Sequence, residues 1–121
     1  MTMPTPQSSV LVMGEALIDL VVDPRQNEGE PQAVPGGSPA NVALALGRLG
    51  HNVDLVCWIG KDDYGQMIVD HLDESTVSIA AGSNGATRTP TALATLDTSG
   101  AATYTFDLEW APPSPIVVPP N

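Results

Sequence analysis

Two short apolar runs, separated by a segment with helical periodicity, constrain the fold of this chain more than any other feature. Residues 10–13 are a continuous apolar stretch, and residues 53–59 are apolar except for Asp54; such stretches are typical of strands buried on both faces of a parallel sheet. Between them, apolar residues recur at helical spacing: Val42, Ala43, Leu46 and Leu49. A strand, a helix and a second strand in this order predict an α/β unit with a parallel crossover.

Capping residues mark the ends of the helices. Ser38 followed by Pro39 predicts an N-cap and a first helical turn, and Gly50 lies where a left-handed C-cap is expected. A second helix is predicted over residues 64–72, with Asp62 or Asp63 as its cap. A short strand over residues 77–80 then completes an α/β unit that spans residues 36–80.

The segments on either side of this unit are rich in strands. Residues 16–22, a run interrupted by Asp19, predict a strand with a short partner over 32–34. Residues 91–96 and 101–106 predict an antiparallel hairpin. The remaining segments are a loose lead-in over residues 1–9 and a proline-rich connector over 112–121. Because a parallel sheet usually has more strands than these, we expect residues 10–111 to form an incomplete domain.

The charge balance narrows the classes of partner. Asp and Glu outnumber Lys and Arg by 14 to 4, which gives a formal charge of −10, so binding to nucleic acids or anionic membranes is disfavoured. No apolar run is long enough to span a bilayer. The single cysteine, Cys57, lies in an apolar stretch and has no partner for an internal disulfide. A soluble cytoplasmic protein is therefore expected.

Several common site motifs are missing from the sequence. Gly60 and Lys61 are followed by Asp62 rather than by Ser or Thr, so they do not form a Walker A loop. The turn after the first strand contains only one glycine, whereas the dinucleotide fingerprint needs three. His51 and His71 stand alone, without the spacing of zinc ligands. No metal site is expected.

The stretch from Gly36 to Gly65 resembles the ribokinase-like (PfkB) carbohydrate kinase family. Its first signature is matched by Gly-Gly-Ser-Pro-Ala-Asn over residues 36–41 together with Gly50 and Gly60, and G-x-D-x-x-G follows at 60–65. The opening Gly-Glu-x-Leu-Ile-Asp over 14–19 is most similar to fructokinases and 2-keto-3-deoxygluconate kinases. The resemblance implies the N-terminal portion of a ribokinase-like fold, which is a parallel Rossmann-like sheet with helices and a small β-strand lid.

The resemblance also implies sugar-binding roles for Asp19, Gly36, Gly37 and Asn41. Their chemistry agrees, because paired glycines allow close approach to the backbone and a carboxylate and an amide suit sugar hydroxyls. Taken singly, the glycines could form only a tight turn, Asn41 could be only a helix-start residue, and Asp19 could face solvent from an edge strand. Their joint occurrence at family spacing favours the sugar site.

The predicted lid carries two aromatic residues and a second hypothesis. Tyr104 and Phe106 alternate onto one face of the predicted hairpin, where they either cover the sugar or merely pack. In this family the lid strands can also clasp a second subunit. The resemblance therefore implies a possible homodimer, formed through residues 16–34 and 91–106.

The resemblance implies ATP-dependent phosphoryl transfer to a sugar hydroxyl, with a fructose-like or keto-sugar-acid substrate. The family's catalytic Asp lies in a Gly-Ala-Gly-Asp motif, and these 121 residues contain no such motif. We therefore expect no catalytic residue in this chain and no activity from it alone, and we expect ATP and Mg²⁺ to bind only in the full-length enzyme. The alternative is a non-catalytic module, left by truncation of a kinase, that binds sugar or dimerises through its lid.

Overall fold

The computed structural model describes residues 9–111 and residue 113. They form seven strands, two α-helices and a 3-10 turn at Asn27–Gly29. The strands are β1 Ser9–Met13, β2 Leu17–Val22, β3 Gln32–Gly36, β4 Asn52–Val56, β5 Val77–Ile79, β6 Thr91–Leu96 and β7 Ala102–Asp107. The helices are α1 Ser38–Arg48 and α2 Asp63–Asp73. The predicted lead-in lies outside the described residues except for Ser9, which begins β1, and the predicted connector lies outside them except for Pro113.

The predicted α/β unit is confirmed as a three-stranded parallel sheet in the order β1-β4-β5. Val53 and Leu55 of β4 are buried, and they share one core cluster with Ala43 of α1 and with Ile68 and Leu72 of α2. Both helices therefore pack on the same face of the sheet. Burial of these aliphatic side chains is the main stabilising contribution, since burying one Val, Leu or Ile side chain stabilises the folded state by about 1.5–3 kcal/mol.

The outer strands form a second sheet in the order β3-β2-β6-β7. The two predicted hairpins are confirmed, since β2 pairs antiparallel with β3 and β6 pairs antiparallel with β7. They are joined by a parallel pairing of β2 with β6. Asp19 consequently lies on an interior strand of this sheet, and the edge-strand interpretation of Asp19 is wrong. We call this sheet the lid sheet and the β6–β7 pair the lid hairpin.

Two local predictions are corrected. Ser38 is not the N-cap of α1: Gly37 occupies that position, with no capping bond from a side chain, and Ser38 is the first helical residue. The predicted strand over 53–59 ends at Val56, because the chain then turns to bond residues 83–86, with the Ile59 amide donating to the Ser83 carbonyl at 2.8 Å. Gly50 has the predicted left-handed conformation, with φ of 93°, and Asp62 caps α2.

Replacing Gly47 with alanine is expected to destabilise the protein. In an exposed helix this change gains about 1 kcal/mol, but a Cβ at Gly47 would overlap the Ser75 carbonyl oxygen and lie 2.9 Å from Cγ2 of Val77. We expect a net loss of about 1–3 kcal/mol in the free energy of unfolding, measured by urea denaturation. Val42→Ala, at an exposed position of the same helix, is the control and should cost little. An equal or higher stability of Gly47→Ala would contradict this packing.

Candidate functional site

The carboxylate of Asp19 lies directly beside the backbone of Gly36. Asp19 projects from β2 and is exposed, whereas Gly36 is the buried last residue of the neighbouring strand β3. A Cβ built on Gly36 would overlap Oδ2 of Asp19. A side chain at position 36 would therefore require the exposed, flexible carboxylate of Asp19 to move. The Asp19 side chain makes no hydrogen bond to the residues that the structure describes, so both of its oxygens are open to a ligand.

Gly37 joins the lid sheet to helix α1 through a backbone conformation that favours glycine. Its φ is 99°, and a Cβ at this position would lie 2.7 Å from the Glu15 carbonyl oxygen. That same oxygen accepts a hydrogen bond from the Ala40 amide at 3.3 Å. Glu15 makes this contact through its backbone and not through its side chain. The loop before β2 and the start of α1 are thus held against each other at Gly37.

Asn41 lies in the first turn of α1, next to this junction. Its backbone amide donates to the Gly37 carbonyl at 2.9 Å. Its side chain is exposed and makes no hydrogen bond within the described part of the chain. The amino end of a helix carries a partial positive charge. The structure therefore places a carboxylate, two glycines and an amide-bearing helix start around one junction. This arrangement can accept and donate hydrogen bonds to several hydroxyl groups of one small polar molecule.

The aromatic pair of the lid lies on the same face as Asp19. Ala92 of β6 pairs with Asp19 on one side and with Phe106 on the other, and residues opposite each other in register share a face. The rings of Tyr104 and Phe106 stack, with centroids 6.3 Å apart and planes 10° apart. They are 64% and 61% exposed. A flat apolar surface thus lies on the same face of the lid sheet as the carboxylate. Across the strands, only the small side chain of Ala92 lies between Asp19 and Phe106.

Asp62, of the Gly60–Gly65 motif, is a structural residue in this geometry. Its Oδ1 accepts from the Gly65 amide at 2.8 Å, which caps α2, and both of its oxygens accept hydrogen bonds from Thr89. Partial burial would raise the pKa of Asp62, but the hydrogen bonds from Thr89 and Gly65 outweigh burial and lower it. The carboxylate is therefore charged at neutral pH and engaged with the protein itself.

The remaining candidate groups do not join the site. Cys57 is buried just beyond β4, and burial raises the pKa of its thiol to about 11, so it is not a nucleophile at neutral pH. Among the described residues, no three His, Cys, Asp or Glu side chains converge where they could hold a metal ion. An open cavity of about 440 Å³ lies at the start of α2, lined in part by Asp62 and Asn84, and none of the four predicted sugar-binding residues lines it.

One polar cluster was not predicted from the sequence. The indole of Trp58 donates to Glu109 at 2.8 Å, and the guanidinium of Arg88 pairs with both carboxylate oxygens of Asp107 at 2.6 Å. The partners are 51 and 19 residues apart along the chain. No local pattern signals such pairs, because each joins residues that lie close together only in the folded chain.

The described helices are too short or too polar to cross a membrane. Comparison with protein families matches residues 7–111 to the family described as "pfkB family carbohydrate kinase". A fructokinase of Klebsiella pneumoniae is 35% identical over 98 residues, covering 80% of this chain and 31% of that protein. The chain spans about a third of the length of the curated relatives that it matches.

Solved structures give the same result. The structure titled fructokinase with bound ATP from Xylella fastidiosa superposes with a TM-score of 0.69 at 33% identity, covering 84% of this chain and 33% of that one. The fructokinase from Vibrio cholerae O395 in apo form gives a TM-score of 0.72 at 29% identity, covering 89% and 36%. The predicted α/β, ribokinase-like architecture is confirmed by these neighbours.

Proposed function

Because the chain belongs to the pfkB family of carbohydrate kinases, we propose that it forms the sugar-binding side of an ATP-dependent sugar kinase. In this proposal Asp19 accepts hydrogen bonds from two sugar hydroxyls, and Asn41 donates to and accepts from others. Gly36 and Gly37 allow the sugar to approach the backbone closely. Tyr104 and Phe106 cover the apolar face of the sugar ring from the lid sheet.

One observation is the main support for this proposal. The Asp19 carboxylate lies beside Gly36, in the space that a side chain at position 36 would need, and it has no hydrogen-bond partner among the described residues. A polar ligand that bonds this carboxylate would also lie against the glycine backbone, which supports a role for both residues in one binding site.

The substrate proposed is a neutral, fructose-like sugar. The family resemblance also admits a keto-sugar acid, whose carboxylate would need a cation in the site. The chain has only four Lys and Arg residues, and three of them already bond other groups: Arg25 to Asp23, Arg48 to Ser75 and Arg88 to Asp107. The fourth, Lys61, lies just before α2. Among these 121 residues the charged group of the proposed site is Asp19, whose carboxylate would repel an anionic sugar, so we propose a neutral one.

ATP and Mg²⁺ are proposed for the whole enzyme and not for this part of it. The described residues include no acidic cluster suited to Mg²⁺, and the sequence contains no Gly-Ala-Gly-Asp motif to provide the catalytic base. This chain alone is therefore proposed to be inactive, and no catalytic step is assigned to its residues. The second candidate, a sugar-binding or dimerising module without catalysis, rests on the same lack of a base.

A sugar panel with ATP tests the proposed function. The protein that contains this chain is incubated with ATP, Mg²⁺ and each sugar in turn, and formation of sugar phosphate and ADP is followed. We expect phosphorylation of fructose, and at most weak phosphorylation of 2-keto-3-deoxygluconate. Sugar binding without ADP formation would favour the non-catalytic module. If the protein neither binds nor phosphorylates any sugar, both candidates are contradicted.

The proposed location of the protein is the cytoplasm. The reducing conditions there suit the single buried thiol.

A homodimer formed through the lid sheets is also proposed. Tyr104→Asp or Phe106→Asp should weaken it, because each places a charge on the exposed aromatic face. We expect the dissociation constant in sedimentation equilibrium to rise by about 10-fold or more, since burying an unpaired charge costs more than 1.4 kcal/mol. Thr105→Asp, on the same strand but facing the other side, is the matched control. Equal effects of the three substitutions would contradict a dimer interface on the aromatic face.

A further inference from the structure

We propose that Thr89 and Glu109 are positioning residues, which fix the base of the lid hairpin on the α/β unit. This inference rests on the proposed function, because its consequence is the placement of Tyr104 and Phe106 over the sugar. Thr89 precedes β6 by two residues, and Glu109 follows β7 by two residues. The two residues therefore hold the two ends at which the lid hairpin joins the rest of the chain.

At the entering end, the buried Thr89 makes three strong hydrogen bonds. Its hydroxyl donates to Oδ1 of Asp62 at 2.6 Å and accepts from the Gly60 amide at 3.0 Å, while its own amide donates to Oδ2 of Asp62 at 2.9 Å. Asp62 also caps α2. The start of the lid hairpin is thereby tied to the start of a core helix through a single charged carboxylate.

At the leaving end, one carboxylate oxygen of Glu109 joins two segments. It accepts from the indole of Trp58 at 2.8 Å and from the Thr87 amide at 3.1 Å. These hydrogen bonds lower the pKa of Glu109, so the carboxylate is charged at neutral pH. Trp58 in turn packs over Gly85, where a Cβ would overlap the indole ring. The exposed pair of Arg88 with Asp107 adds little by itself.

These two attachments, together with the pairing of β6 with β2, hold the aromatic pair in position. β7 is the last strand of the lid sheet and pairs only with β6 among the described strands, so it has no further strand to hold it. Phe106 precedes Glu109 by only three residues. A displacement at the base of the hairpin would therefore be passed to the aromatic face, and it would affect Gly36 and Asn41 less, since neither lies on a strand that pairs with β6 or β7.

The test compares Thr89→Val with Thr89→Ser in the protein that contains this chain. Valine removes the hydroxyl that bonds Asp62 and Gly60, whereas serine keeps it. For Thr89→Val we expect faster hydrogen–deuterium exchange in peptides from residues 91–107. We also expect a rise of about fivefold or more in the KM for fructose, in keeping with the loss of about one hydrogen bond. The KM for ATP should change less than twofold. Thr89→Ser should restore both the exchange rate of residues 91–107 and the KM for fructose.

The outcomes separate three possibilities. Unchanged exchange in the hairpin, or faster exchange with an unchanged KM for fructose, would overturn the positioning role, since a merely structural residue lowers stability without moving a sugar KM. If the unsubstituted protein neither binds nor phosphorylates any sugar, the proposed function fails, and this inference fails with it. Should Thr89→Val not fold, Glu109→Ala at the other end of the hairpin is judged by the same two measurements.

Discussion

Replacing Asp19 with alanine is expected to lower kcat/KM for the sugar by about 100-fold or more, because two hydrogen bonds to a charged acceptor are lost, each worth about 1.5–3 kcal/mol. The measurement is a coupled assay of ADP formation over a range of fructose concentrations, made on the protein that contains this chain. Most of the loss should appear as a higher KM for fructose, with the KM for ATP unchanged. Asp19→Asn keeps one acceptor oxygen at the same place and should show an intermediate loss.

Asp73→Ala is the matched control for this prediction. Asp73 is also an exposed aspartate, but it ends α2, where a negative charge is unfavourable to the helix. Its removal should leave both kcat and KM unchanged. Sugar kinetics that are the same in Asp19→Ala and Asp73→Ala would show that Asp19 does not hold the sugar.

Gly37→Ala is the second substitution with a large expected effect. An alanine with φ near 99° costs about 1–3 kcal/mol in backbone strain, and its Cβ would lie 2.7 Å from the Glu15 carbonyl oxygen. The hydrogen bond from Ala40 to that same oxygen would also be disturbed. We expect a loss of about 3 kcal/mol or more in the free energy of unfolding, measured by urea denaturation.

Gly50→Ala separates strain from crowding in this prediction. Gly50 has a similar φ of 93° but has nothing within 4 Å of its Cβ position, so Gly50→Ala should cost only the backbone strain of about 1–3 kcal/mol. If Gly37→Ala cost no more than Gly50→Ala, the close contact between Gly37 and Glu15 would not exist as described.

The α/β unit was predictable because its signals are local. The apolar runs of β1 and β4, the helical spacing in α1 and the C-cap at Gly50 each depend on residues close together in sequence. The same holds for the two hairpins, where the turn residues lie between their strands. The four candidate sugar-site residues were chosen from family spacing; the structure places Asp19 beside Gly36, and their role in binding sugar stays a prediction.

The parts that sequence missed depend on long-range pairing. The parallel contact of β2 with β6 joins segments about 70 residues apart, and no periodicity in either strand specifies its partner. The hydrogen bonds of Thr89 to Asp62 and of Glu109 to Trp58 likewise join residues that are 27 and 51 positions apart. Ser38 is a residue type that favours the N-cap, but it lies one position after the N-cap of α1, which is Gly37 with its positive φ. The backbone conformation at Gly37 therefore decided where the helix begins, and the capping preference of Ser38 did not.

Hydrogen–deuterium exchange with and without fructose tests the central claim, that this chain holds the sugar at the junction of β2, β3 and α1. The protein that contains this chain is digested after labelling, and the protection of each peptide is measured by mass spectrometry. We expect fructose to slow exchange in peptides that cover residues 17–20 and 36–42, and Asp19→Ala to abolish that protection. Saturating fructose that is phosphorylated without protecting either segment would contradict the account.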